Sequence, residues 1–103
     1  MRERYQIQLS RRVESQLEKI FEYIAQDSPD NASGLIAEVL NSIYSLQVFP
    51  KRQRVQSSAG ALVPVRSLPC GNYMIFFEID EPKQVVKIIR VSHGSRKRPK
   101  RYT

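Results

Sequence analysis

Hydrophobic positions alternate at period two near both ends of the chain and fall at helical spacing in between. In residues 4–9 Tyr5, Ile7 and Leu9 share one side while Arg4, Gln6 and Gln8 share the other. That pattern predicts a half-buried strand near a sheet edge. Ser10 is a good N-cap for a helix from Arg11 to Gln26. Val13, Leu17, Ile20, Phe21 and Ile24 form its apolar stripe, and Glu14, Glu18 and Glu22 its solvated side. Asp27-Ser28-Pro29 breaks this helix and opens a second, with Ser28 as cap and Pro29 at the first helical position. Ala32, Leu35, Ile36, Val39, Leu40, Ile43 and Leu46 give its stripe, Gly34 and Asn41 lie opposite, and Phe49-Pro50 ends it. So short a connection predicts an antiparallel helix hairpin.

Residues 51–61 are polar, basic and then small, the pattern of a surface loop, with Val55 a candidate start of a short strand. Residues 62–96 read as three strands joined by two tight turns. Val63, Val65 and Leu68-Pro69 belong to the first, and Pro69-Cys70-Gly71-Asn72 turns the chain. In the second, Tyr73, Ile75, Phe77 and Ile79 share a face, and Asp80-Glu81-Pro82-Lys83 follows as a turn. In the third, Gln84 to Val91, period two sends Val85, Ile89 and Val91 one way and Val86 and Ile88 the other. A strand apolar on both sides belongs inside a sheet. The expected architecture is α+β, ordered β-α-α-β-β-β, with the helix hairpin packed on one face of a largely antiparallel sheet. One domain is expected over residues 1–96, followed by a basic, mobile tail over 97–103.

Composition adds bounds. A chain of 103 residues is one domain, and 41% hydrophobic with 26% charged residues is ordinary for a globular protein. Cys70 is the only cysteine, which excludes a disulfide framework and a cysteine-based zinc cluster. Met1-Arg2-Glu3-Arg4 runs directly into the first strand without a signal-like order, so a cytoplasmic location is expected. No metal-ligand set or phosphate-cradling glycine loop occurs, and no cofactor or membrane partner is expected. Charge is lopsided. Residues 1–50 carry five Lys/Arg and seven Asp/Glu, a balance of −2, whereas residues 51–103 carry twelve and three, a balance of +9. A one-sided basic surface favours polyanions or acidic protein partners.

The chain resembles the ParE branch of the RelE/ParE superfamily, the toxins of type II toxin–antitoxin modules. The resemblance spans nearly the whole sequence, in YQIQLSRRVESQLEKIFEYIAQDSP, SLQVFPKR, VRSLPCGNYMIFFEID and VVKIIRVSHGSR. Its most specific parts are the Leu68-Pro69-Cys70-Gly71-Asn72-Tyr73 turn and the closing Val91-Ser92-His93-Gly94-Ser95-Arg96. It implies a small cytoplasmic toxin whose cognate antitoxin, largely disordered alone, folds onto the helix hairpin or a sheet edge. ParE-like toxins inhibit DNA gyrase by binding, cause growth arrest and serve plasmid stabilization. RelE-like toxins of the same fold are instead ribosome-dependent mRNA endoribonucleases.

The side chains separate these alternatives. Cleavage through a 2′-hydroxyl needs a base, an acid and cations at the phosphate. Arg66 and Arg90 fall on adjacent predicted strand segments, His93 ends the last strand, and Tyr102 lies near the terminus. Those four are the candidate ribonuclease set, yet residues 51–77 contain no carboxylate to act as a base. The sequence therefore leans to a non-enzymatic inhibitor that contacts its target through Arg66, Arg90, His93, Arg96, Lys97 and Arg98. Residues 96–103 carry five Lys/Arg, giving the tail a capacity for non-specific nucleic-acid contact. A general nucleic-acid-binding module is the third reading. Cys70 is expected to be structural, and Tyr73, Phe76 and Phe77 to be core.

Overall fold

The computed structural model of the chain describes residues 4–57 and 63–93. The elements run β1 (Gln6–Leu9), α1 (Arg11–Ala25), α2 (Pro29–Tyr44), β2 (Arg54–Ser57), β3 (Val65–Cys70), β4 (Tyr73–Asp80) and β5 (Val85–His93). Five strands form one sheet in the order β1-β5-β4-β3-β2. The pairing is parallel between β1 and β5 and antiparallel elsewhere. The expected α+β layering is present, with β2 as an added strand starting one residue before Val55.

Both helices start where the caps predict. The Ser10 hydroxyl accepts from the Val13 N–H at 3.1 Å, and the Ser28 hydroxyl from the Asn31 N–H at 3.2 Å. The second helix is shorter than its apolar stripe suggests: α2 ends at Tyr44, and 3-10 turns follow over Ser45–Gln47 and Pro50–Arg52. Leu46 stays buried from the first of these turns. Val13 and Leu17 of α1 and Val39 and Ile43 of α2 join Ile75, Phe77, Val86, Ile88 and Val91 in one core. Each such buried side chain contributes roughly 1.5–3 kcal/mol by leaving water. The helices thus cover one sheet face, and no described helix covers the other. No helix among the described residues is long and apolar enough to cross a membrane.

Two details of the sheet depart from simple period-two expectations. Pro69 lies in β3 as expected, and Cys70 joins it there, so the turn tightens to Gly71-Asn72 with Gly71 at φ 60°. Pro69 is tolerated because β2 has already ended and β3 is an edge there. In β5, Val91 does not face with Val85 and Ile89. Phe76 pairs with Arg90 while Phe77 pairs with Ile88, so Ile89 is a bulged extra residue. The bulge rephases the strand, placing Val86, Ile88 and Val91 together on the helix side and Arg90 on the other. β5 lies inside the sheet, between β1 and β4, as its two apolar sides require.

Two glycines allow a paired test. An added Cβ at Gly34 or at Gly71 meets nothing within 4 Å, but only Gly71 has positive φ. Gly34→Ala should therefore stabilise by about 0.5–1 kcal/mol through helix propensity. Gly71→Ala should destabilise by about 1 kcal/mol through backbone strain alone. Urea midpoints moving in the same direction would contradict this account.

Candidate functional site

The sheet face away from the helices carries a row of cross-strand neighbours, Arg54 (β2), Ser67 (β3), Phe76 (β4) and Arg90 (β5). Three strand spacings separate the two arginines, roughly 14 Å of sheet. The Arg90 guanidinium lies 4.5 Å from the Phe76 ring centroid. This cation–π contact holds the guanidinium over the Phe76 ring, and an arginine presents a planar N–H fork. Such a fork suits a carboxylate or phosphate. The next row toward the other end holds Gln8, Lys87 and Glu78. Glu78 therefore shares this face with Arg90, one residue beyond the carboxylate-free stretch noted in the sequence.

Arg66 is on the opposite face. It pairs across from Phe77, on the helix side, and β4 stands between its strand and that of Arg90. Its Nη1 donates to the carbonyls of Lys51 at 3.0 Å and Gln53 at 2.8 Å. Beside it the Lys51 ammonium lies 2.9 Å from the Glu81 carboxylate, which also accepts from the Tyr5 hydroxyl at 3.4 Å. The hydrogen bond to Glu81 and its charge raise the Lys51 pKa above the usual lysine value. The Tyr5 N–H donates to the Gln47 carbonyl at 2.9 Å. Together these contacts clasp the segment after α2 to the sheet, and Arg66 is its fastening.

His93 ends β5 on the helix side, opposite Tyr73, with the two rings edge to face at 4.9 Å and 79°. β1 accompanies β5 only as far as Ile88, and beyond it Gln16 of α1 takes over, its side-chain oxygen accepting from the Val91 N–H at 2.8 Å. A groove of about 640 Å³ opens here between α1 and β5, lined by Ile20, Tyr23, Tyr73 and His93 among others. The Ser92 hydroxyl is buried without a hydrogen-bond partner. Cys70 is buried, its sulfur accepting from the Ser42 hydroxyl at 3.3 Å and directed at the Glu38 carbonyl at 3.8 Å. That environment fits a packing role. Phe77 is fully buried in the core, whereas Phe76 is buried on the far face beneath Arg90.

Arg66, Arg90 and His93 are thus not brought together: Arg66 and His93 sit at opposite ends of the helix-side face, and Arg90 faces away. Arg96, Lys97, Arg98 and Tyr102 lie outside the described residues. Arg54 and Glu78 join the Arg90 face instead. Arg54 had a signal, since it precedes Val55, but only the register with Ser67 shows which way it points. No group of His, Cys, Asp and Glu among the described residues is arranged to hold a metal ion.

Residues 7–98 match the family described as the ParE toxin of type II toxin–antitoxin systems, parDE. The chain belongs to the ParE toxin family. No match was found among curated proteins. Solved structures agree on the fold of this ParE chain. The chromosomal ParDE system of P. aeruginosa superposes with TM-score 0.70 at 16% identity, over 86% of this chain and 95% of that one. The toxin–antitoxin complex RelBE2 of Mycobacterium tuberculosis gives 0.66 at 22% identity, over 88% and 92%. The archaeal RelE–RelB complex of Pyrococcus horikoshii OT3 gives 0.63 at 13% identity, over 89% and 97%. At these identities the likeness is one of fold, shared by ParE and RelE proteins alike.

The two arginines of this ParE chain should respond differently to truncation. Arg66→Ala leaves two carbonyls without their charged donor and should cost about 1.5–3 kcal/mol. Arg90→Ala removes one surface cation–π contact and should cost about 0.5–1 kcal/mol. Urea unfolding of both variants measures the difference, and equal losses would contradict the clasp.

Proposed function

We propose that this ParE toxin arrests growth by binding DNA gyrase, and that a cognate antitoxin neutralises it. The observation that carries the binding reading is the division of Arg66, Arg90 and His93, the described members of the candidate ribonuclease set, between the two sheet faces. Arg66 is engaged in the clasp and His93 packs edge to face on Tyr73, so neither meets Arg90 around a common phosphate. What remains on the face away from the helices is a row that carries Arg54 and Arg90 about three strands apart. Such a surface supports contact with a polyanion-bearing target, such as an enzyme engaged on DNA. The groove between α1 and β5, with Ile20, Ile24 and Val91 beside Lys19 and His93, supports the antitoxin assignment, since an amphipathic helix or extended segment lays its apolar side chains into such a groove.

The decisive assay is supercoiling of a plasmid by purified gyrase with ATP. Added toxin should inhibit the reaction and accumulate cleaved DNA, and the cognate antitoxin should reverse both effects. The double variant Arg54→Ala/Arg90→Ala should need about tenfold more protein for the same inhibition, the loss of about 1.4 kcal/mol of contact. His93→Ala should weaken the effect without abolishing it. Unimpaired supercoiling at micromolar toxin would remove the gyrase assignment.

One observation favours a second reading. Glu78 shares the far face with Arg90 and pairs across from Lys87, which supplies a carboxylate and cations on one surface. On this reading the chain is a ribosome-dependent mRNA endoribonuclease with Glu78 as base. Cleavage of ribosome-bound mRNA that disappears in Glu78→Gln would establish it in place of gyrase inhibition.

A further inference from the structure

Phe49 stands in the left-handed region, at φ 51° and ψ 50°. A bulky side chain rarely adopts that conformation, and a following proline disfavours helical backbone further. Strain of this kind persists where the surroundings enforce it, and here they do. Pro50, the next residue, is fully buried, and the Arg52 N–H donates to the Phe49 carbonyl at 3.3 Å. Arg66 holds the carbonyls of Lys51 and Gln53. The strained turn gives the core little from its own aromatic ring, because Phe49 is 61% exposed. Arg52 and Arg54 follow it, both exposed, and neither guanidinium has a hydrogen bond or ion pair among the described residues. The turn thus displays one exposed aromatic ring and two exposed guanidinium groups within six residues.

We propose that the Phe49–Arg54 turn is a contact site for single-stranded nucleic acid. Phe49 stacks on an unpaired base, Arg52 and Arg54 neutralise the phosphates beside it, and the strand continues over the far sheet face toward Arg90. An exposed ring beside cations suits a ligand that alternates planar bases with phosphates. An acidic peptide would satisfy the arginines but offers no planar face for Phe49. Arg54 and Arg90, roughly 14 Å apart across the sheet, correspond to about four phosphate steps at the ~3.4 Å rise of one stacked strand. Preorganisation by the Arg66 clasp lowers the ordering cost of binding. The contact reads no base edge, so it is blind to sequence.

The test is fluorescence anisotropy of the full-length protein with a fluorescein-labelled 20-nucleotide oligothymidine, across a salt series. No gyrase is present, so the outcome is independent of the target proposed above. Phe49→Asn should weaken binding about tenfold, the loss of one base stack. Its melting temperature should hold or rise, because Asn accepts left-handed backbone. Phe49→Trp should retain the affinity. Arg52→Ala/Arg54→Ala should lower the slope of log K against log salt by about 1.4, two single-strand phosphate contacts. Unchanged affinity in Phe49→Asn would overturn the proposal, as would a fall of more than about 5 °C in its melting temperature. Complete loss of binding in Arg96→Ala/Lys97→Ala/Arg98→Ala would assign the contact to the tail instead. Binding to polyglutamate with the same dependence on Phe49 would exclude base stacking.

Discussion

The two faces of the sheet depend on one extra residue in β5. Val86 and Ile88 lie beneath the helices, and simple alternation would carry Arg90 there next, with Val91 turned outward. A guanidinium enclosed between α1 and the sheet without a carboxylate would cost several kcal/mol. The bulge at Ile89 removes that conflict by shifting the phase, so that Val91 and His93 face the helices and Arg90 emerges on the far side. The core gains a valine at the position where it would have met a charge. The far face gains an arginine laid over Phe76. Stability and the candidate contact surface therefore follow from the same local irregularity.

Arginines in this half of the chain serve different ends according to their position in the sheet. Arg66 spends its donors on two backbone carbonyls and joins the turn after α2 to β3. Arg90 lies over the Phe76 ring on the far face. Arg52 and Arg54 are exposed beside a turn whose carbonyls Arg66 holds. Lys51 is neutralised by Glu81. Net charge alone treats these groups as equivalent, yet only some of them can pair with an incoming anion without dismantling the fold.

The helix side and the far side of the sheet divide the work of the molecule. The helix side holds the apolar cluster around Phe77, Ile88 and Ile43, where burial is complete and substitution acts through stability. The far side and the strained Phe49 turn hold exposed cations and aromatic surface, where substitution should act through recognition. The ParE assignment is consistent with such a division, because a fold shared with RelE proteins leaves the target to be set by side chains outside the common core.

Local pattern by itself determined the helix hairpin, its Ser10 and Ser28 caps, the inward set Tyr73, Ile75, Phe77 and Ile79, and the interior place of β5. These features follow from side-chain periodicity and capping among residues a few positions apart, and the family motifs occupy the same local segments. Strand order, the parallel pairing of Gln6 with Val85, and the addition of β2 at the other edge arose from contacts between distant parts of the chain. The sequence carries a trace of the bulge, since the inward apolar residues Ile88 and Val91 are three apart rather than two. Without knowing which side the helices cover, that spacing does not say whether Arg90 or Val91 turns inward. Only the tertiary structure assigned Arg66, Arg90 and His93 to their faces, because a side chain's direction in a sheet depends on register, and register is settled by packing across strands.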